Sequence, residues 1–558
     1  MSSLPDTPLN ELVDSDNEKF VTHESHESLD AAATSAPEAQ RLSPTSLTSF
    51  RLYLILLVPS MASICVGYDI SVMNYINGME PYLSYFGLEG QDAGGGVGPT
   101  TGLIFGMYTL GTCLAVLLAG PISDRFGRRG GMFVGSVLCL AGGITVTVAK
   151  DVRYLKGGRF LLGMSAALLE VAGSMYVCEM SPPQWRGPLT GMFGAIAIVS
   201  TIISGAVTIV TGRMNNSASW RIPFSLQIIP AAGVFFFSYF IPEASCLNSI
   251  AFQAILLSIQ SPRWLMSVGR KEQGRAVLAK FHGNGDVNAP LVALECKEFD
   301  ESIKLDASKK WDYAGLFRTR SDRYRTFLVF LLACCGQWAG SGLSYFLVVL
   351  LAKDHIDTQN LRLILSLVSG IVAALGALTG ALISDKVGRR AIWFWGNVSC
   401  TIALMISGAC TAKFGAGGYN PAGSNTAIAF LFLFNFFYCA TYVPLPPVYT
   451  SECMSFENRA NGVALYTFLA SAASLVNTYA TPIALASIGW RLYVVFIAWD
   501  IFACVLIWIF SVETSGRTLE DLNEVFEDKH PVKASMKTRP IESTLIHLDP
   551  IGGSKEVA

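Results

Sequence analysis

One ten-residue turn constrains this chain more than any other stretch. Gly120-Pro-Ile-Ser-Asp124-Arg125-Phe-Gly127-Arg128-Arg129 separates two apolar runs, at about residues 100–119 and 131–149. It is too short for anything but a hairpin of two membrane helices. Its three arginines cannot rest in lipid, so the turn should face the cytoplasm. The chain then repeats it as Gly380-Ala-Leu-Ile-Ser-Asp385-Lys386-Val-Gly388-Arg389-Arg390, 261 positions on. A second charged pair repeats at an offset of 273: Glu179 with Arg186 and Gly187 after the fourth apolar run, then Glu452 with Arg459 and Gly462 after the tenth. Two halves carrying the same turns in the same order imply a duplicated helical bundle.

Composition agrees. Of 558 residues, 51% are hydrophobic and only 15% charged, unlike an average soluble globule. A formal net charge of −2 gives no reason to expect nucleic acid. The 13 cysteines form no CxxC and most lie inside apolar runs, which makes them packing residues rather than disulfides or ligands. All six histidines fall outside the apolar runs, so no metal site and no cofactor is expected. The ~20 residues that a membrane helix needs give twelve spans. They lie near 52–74, 100–119, 131–149, 157–178, 190–210 and 222–241, then 326–351, 362–383, 391–411, 427–449, 463–485 and 491–511. The expected fold is therefore an all-α membrane protein of two six-helix halves.

The expected organisation has five parts. Residues 1–49 form a polar, disordered cytoplasmic tail and no signal peptide. The six-helix halves are 50–241 and 326–511. A charged linker with short helices fills 242–325, and a cytoplasmic tail follows at 512–558. With both termini inside, every arginine-rich loop falls on one side. One segment breaks the pattern: Ala244 to Gln260 is apolar but too short to span comfortably, and a thirteenth span would put Lys386, Arg389 and Arg390 outside.

Several further motifs carry a resemblance. The turn G-x-x-x-D-R-x-G-R-R, its second copy, and Val512-Glu-Thr-Ser-Gly-Arg-Thr-Leu519 resemble the sugar porter family of the major facilitator superfamily. Trp220-Arg-Ile-Pro223 and Ile488-Gly-Trp-Arg491 resemble its fungal hexose- and lactose-permease-like branch, and the match covers about residues 50–530. In that family Pro-Glu-Ser-Pro-Arg-Trp is uninterrupted; here Pro242-Glu243 and Ser261-Pro-Arg-Trp264 are split by the atypical segment, which reads as a retained in-frame intron or unusual splice form, or else as a lineage-specific insertion extending the sixth helix.

The resemblance implies a transporter and no enzyme: a plasma-membrane protein moving a mono- or disaccharide by alternating access, with proton symport. Asp124, Arg125, Arg128, Glu179 and Arg186, with Asp385, Arg389, Glu452 and Arg459, would form a cytoplasmic gate. The two aspartates are also placed to cap neighbouring helices. Asp69 and Arg159 fall at similar membrane depth by antiparallel counting, where ionisable groups are paired or face a cavity. In the family they are the proton site and its partner. Gln337-Trp338-Ala339-Gly340-Ser341-Gly342 resembles a Gln-x-Ser-Gly-x-Asn sugar motif, with Gly342 in place of the asparagine. Gln337, Trp338, Tyr345, Tyr449 and Asn477 are the implied sugar contacts. Glu170 either faces the pathway or packs as a neutral acid against another helix, and Asp500 reads as a packing residue. The partners expected are a sugar, protons and the lipid bilayer. Competing readings are a nutrient sensor on the same scaffold, or a carrier of a polyol or organic acid such as inositol or quinate. The oligomeric state is not legible.

Overall fold

The computed structural model describes residues 46–89, 95–240, 260–283, 285–308, 313–353, 358–415, 421–455, 458–517 and 519–536. The atypical segment, apart from Gln260, and most of the expected N-terminal tail lie outside these residues. Among the described residues every regular element is helical, and ten helices are long and apolar enough to cross a bilayer. Lipid offers no partner to backbone amides, so such runs must satisfy their own hydrogen bonds as helices.

The ten become twelve for two physical reasons. Pro99–Thr147 is 49 residues long, about twice what a bilayer needs. Its helical geometry fails at Gly127, with φ 78° and ψ 170°. Gly163 lies against the Tyr108 backbone while the adjacent Leu162 lies against Gly142, so the two arms run side by side as a hairpin. They are the second and third spans. Gly388, with φ 92°, makes the same break between the eighth span, Gln359–Val387, and the ninth, Arg389–Cys410. Positive φ at both turns explains the glycine in each copy.

The second reason is the seventh span, which is not the continuous 326–351 expected. It starts at Arg320, runs to Trp338, and resumes as Ser341–Tyr345 and Leu347–Lys353. Gly340, with φ 82°, sits at the first break. The remaining spans are Leu47–Ile76, Val152–Met180, Arg186–Thr211, a sixth beginning at Ala218, a tenth from Pro421 interrupted before Leu445 in a proline-rich stretch, Arg459–Ser487 and Arg491–Phe510.

The halves meet where the second span packs on the eleventh and the fifth on the eighth. Hydrogen bonds joining them cluster away from the arginine turns. Gly98 N–H donates to the Pro482 carbonyl at 3.1 Å, and the Gln359 amide donates to the Gly212 carbonyl at 2.8 Å. Glu80 N–H donates to Gln359 Oε1 at 3.0 Å, and Arg362 reaches the Glu80 carboxylate at 3.3 Å. Because the Glu80 side chain is 75% exposed, that ion pair contributes only about 0–1 kcal/mol.

At the arginine end two segments dock. The linker returns at Ser261, whose hydroxyl caps the helix Pro262–Ser267, and Trp264 Nε1 donates to the Asp124 carbonyl at 2.9 Å. Helices Lys271–Phe281 and Pro290–Ser308 follow. His282 Nδ1 lies 2.7 Å from Glu295 Oε2 and Nε2 3.3 Å from the Met180 carbonyl at the end of the fourth span. Two residues earlier, burial pulls the Lys280 ammonium below its ordinary value and repulsion from Arg51 adds to it. The C-terminal segment, expected as a tail from residue 512, is partly folded. Leu522, Val525 and Phe526 share one face of Leu519–Glu527 and pack with Val512 and Tyr449. An i, i+3, i+4 apolar pattern is what buries such a short helix.

His282 and Glu295 side chains are 2% and 1% exposed. Removing the imidazole leaves the buried Glu295 carboxyl without this hydrogen bond, at about 1–3 kcal/mol for a buried group left unsatisfied. His282→Ala should therefore lower the melting temperature of the detergent-purified protein and expose residues 260–308 to protease. An unchanged melting curve and cleavage pattern would contradict this docking role.

Candidate functional site

A cavity of about 320 Å³ lies between the halves at mid-membrane depth. The N-terminal half lines it with Asn74, Tyr108, Arg159 and Glu170, the C-terminal half with Gln337, Tyr345 and a face of the eleventh span. Thr467, Ser471, Ser474 and Thr478 form that face at spacings of four, three and four residues, one stripe of a helix. Thr467, Ser471 and Thr478 donate back to the carbonyl four residues earlier, at 3.0, 2.8 and 2.8 Å. The oxygens of Thr467 and Ser471 remain available as acceptors, whereas Thr478 Oγ1 also meets Thr109 Oγ1 of the other half at 2.9 Å. The polar stripe in an apolar span was readable in the sequence, but sequence reasoning missed it, as it missed Tyr108 and Asn74.

Asp69 and Arg159 sit at the edge of this cavity. Arg159 NH1 donates to Asp69 Oδ1 at 3.0 Å, and the side chains are 2% and 3% exposed respectively. The guanidinium carbon lies 4.2 Å from the Tyr108 ring centroid, a cation–π contact that covers its other face. Arg159 Nε is buried without a partner. The first and fourth spans are thus tied by a pair whose separation would leave a charge in an apolar setting.

Of the five implied sugar contacts, the cavity takes in two, Gln337 and Tyr345. The other three are placed elsewhere. Asn477 donates to the Gln337 carbonyl at 2.8 Å and to Ser341 Oγ at 3.0 Å, while Thr481 donates to its Oδ1 at 2.9 Å. Its amide therefore satisfies a carbonyl at the break in the seventh span, as irregular backbone at membrane depth requires. This explains the glycine at 342: a Cβ there would collide with Thr481 Oγ1 and come within 2.7 Å of Asn477 Oδ1. Trp338 Nε1 donates to the Ala473 carbonyl at 2.9 Å, and its ring packs edge-on to Trp499. Tyr449 is fully buried at the arginine end, where its hydroxyl donates to the Val512 carbonyl at 3.0 Å and its ring meets Trp393. It is remote from the cavity because the tenth span breaks before Leu445 and carries it to the docked C-terminal segment.

The charged turns form two matching clusters. Arg128 donates to Glu179 Oε1 at 2.9 Å from NH2 and 3.2 Å from Nε, and to the Ser123 carbonyl. Arg389 grips both Glu452 oxygens, at 2.8 and 3.1 Å, and the Ser384 carbonyl. In the second cluster Glu513 adds a carboxylate that accepts from the Arg389 and Arg390 amides at 2.8 and 3.1 Å. The Arg128–Glu179 side chains are each 9% exposed, so this is a buried pair. Both pairs lie within their own half. Asp124 differs from expectation too: 62% exposed, it approaches Arg128 NH1 at 3.5 Å, and it is its carbonyl that serves the linker. Arg125 is exposed over Phe126. Arg186 and Arg459 are half-buried, each with a buried Nε lacking a partner, and Arg459 is within electrostatic reach of Glu452. Asp385 ends the eighth span, and its side chain lies outside the described set. Asp500 is fully buried in the twelfth span, with neither carboxylate oxygen hydrogen-bonded.

Known proteins place this architecture. The family described as "Sugar (and other) transporter" matches residues 55–526. A high-affinity glucose transporter of Kluyveromyces lactis is 25% identical over 499 residues, covering 86% of each chain. An MFS glucose transporter of Aspergillus flavus is 27% identical over 501 residues, covering 85% of this chain and 89% of its own. Among solved structures, the inward open conformation of the xylose transporter XylE from E. coli superposes with a TM-score of 0.66 at 20% identity, over 85% of this chain and all of the other. That likeness supports the twelve-helix major facilitator fold. The chain belongs to the sugar transporter family of the major facilitator superfamily, whose members are multi-pass membrane transporters and not enzymes.

Proposed function

We propose that this protein carries a hexose across the plasma membrane by alternating access, with a proton bound at Asp69 moving in the same direction. The observation that carries the reading is the cavity between the halves, lined by an amide, phenols and a stripe of hydroxyls beside a buried acid–base pair. Sugars need amide and hydroxyl hydrogen bonds with an aromatic wall. The glucose transporters among the relatives support a hexose over an inositol or an organic acid. The arginine end is cytoplasmic, because it gathers the Arg128 and Arg389 clusters and the docked linker.

In this arrangement the halves are tied at the extracellular end, and the cavity runs toward the cytoplasm as far as Tyr466 and Thr467. Opening outward requires the Glu80, Gln359 and Gly212 contacts to part. These are few and partly exposed, which suits two states separated by only a few kcal/mol. The coupling step follows from the pair. Charged Asp69 holds Arg159 and so fixes the first span to the fourth; protonated Asp69 releases that attraction and favours a different arrangement. Arg159 then stays beneath Tyr108, facing the cavity.

Asp69→Asn mimics the protonated state. It should abolish uphill, pH-driven accumulation while leaving exchange or downhill flux, measured as labelled glucose in transporter-deficient yeast with and without a protonophore. Concentrative, protonophore-sensitive uptake by this variant would remove Asp69 from the coupling role.

Arg128→Ala should lower the maximal transport rate several-fold more than it weakens apparent sugar affinity, because Arg128 lies outside the cavity but shapes the cytoplasmic ends of the second to fourth spans. Initial-rate uptake against sugar concentration checks this. Weakened affinity at unchanged maximal rate would contradict a gating role.

A further inference from the structure

Glu170 is an ionisable group that neither the coupling pair nor the cytoplasmic clusters use. It lies eleven residues beyond Arg159 on the fourth span, three turns along the same face and about 16 Å further by helix rise. Both side chains line the central cavity. Glu170 is exposed there although it sits well inside a 29-residue membrane helix. Its carboxylate has no hydrogen-bonding or ionic partner among the described residues. An ionisable group at that depth is costly and needs a partner that the protein here does not supply.

The surroundings indicate what that partner is. Arg159 is engaged by Asp69 and is about three helical turns away, beyond ion-pair reach. The opposite wall offers Gln337, Tyr345 and the hydroxyl stripe, all of which can donate or accept. An ionised carboxylate accepts only, through two oxygens, and hydrogen bonds to it are shorter and stronger than neutral ones. A sugar ring presents adjacent hydroxyl donors at the spacing of two carboxylate oxygens. We propose that Glu170 is a specificity-determining residue that accepts hydrogen bonds from neighbouring hydroxyls of the bound sugar. This rests on the hexose reading above. Glu170 has no cation to release on protonation, so it sets which sugar binds and how tightly and takes no part in coupling.

The test uses the full-length protein in transporter-deficient yeast, D-glucose uptake, and monodeoxy and deoxyfluoro glucoses as competitors. At one ring position, or at two adjacent ones, both analogues should compete about tenfold or more weakly than glucose, the size expected for losing a bond to a charged group. Fluorine can accept but cannot donate, so it cannot rescue a contact to a carboxylate. In E170Q, whose amide oxygen accepts only a neutral hydrogen bond, the affinity for glucose should fall several-fold and the penalty at that position should shrink by a similar factor. E170D, which keeps the charge on a shorter stem, should retain the penalty in weaker form. Absence of glucose uptake by the wild-type protein overturns the hexose reading and this proposal with it. Uptake by wild type with an E170Q affinity within about twofold of it overturns the proposal alone. So does a deoxy penalty undiminished in E170Q, or loss of protonophore-sensitive accumulation at unchanged affinity, which would move Glu170 to coupling. If E170Q fails to reach the membrane, the wild-type competitors decide: fluoro analogues that compete as well as glucose at every position overturn it.

Discussion

The structure depends first on how charge is held inside an apolar bundle. Asp69 and Arg159 are almost wholly buried and 3.0 Å apart, and Tyr108 covers the guanidinium. Either partner alone would cost several kcal/mol at that depth, so the first, second and fourth spans are constrained to meet there. The same logic governs the arginine end. Arg128 and Arg389 are each folded onto a glutamate of the fourth or tenth span and onto a carbonyl of their own turn. These three ion pairs are each closed within one half, so the contacts between halves carry none of them and are free to be weak.

That division of strong and weak contacts is what alternating access needs. Inside each half, buried ion pairs and close helix packing resist deformation. Between halves, the described ties at the end away from the arginine turns are hydrogen bonds from Gly98, Gln359 and Glu80 and one largely exposed ion pair. The docked segments add an asymmetry. The linker grips the N-terminal half through Trp264 and His282. The C-terminal segment grips the other half, where the Glu513 carboxylate accepts from the ninth-span amides. Each half therefore carries its own brace at the arginine end.

Much of this was legible in the sequence because charge in a membrane protein is placed under strict constraint. The repeated turns revealed the hairpins and the matching charged clusters, and depth counting put Asp69 level with Arg159. Roles that depend on tertiary neighbours were less legible. Asn477 looked like a sugar contact, but it serves the broken seventh span, and no local pattern announced the break at Gly340. Tyr449 looked like a pathway residue, but the tenth span breaks before Leu445 and turns it toward Val512. The C-terminal segment was read as a tail because one turn of apolar spacing is a weak signal beside a core it has yet to meet. The hydroxyl stripe of the eleventh span was there to be read.

The central claim is that sugar and proton enter together. The most direct measurement is the external pH of a lightly buffered suspension of proteoliposomes or cells containing the protein as glucose is added. The account predicts immediate alkalinisation of the medium that keeps pace with labelled glucose uptake and disappears with a protonophore. Glucose that equilibrates across the membrane with no movement of external pH would contradict coupling and leave a facilitator built on the same two halves.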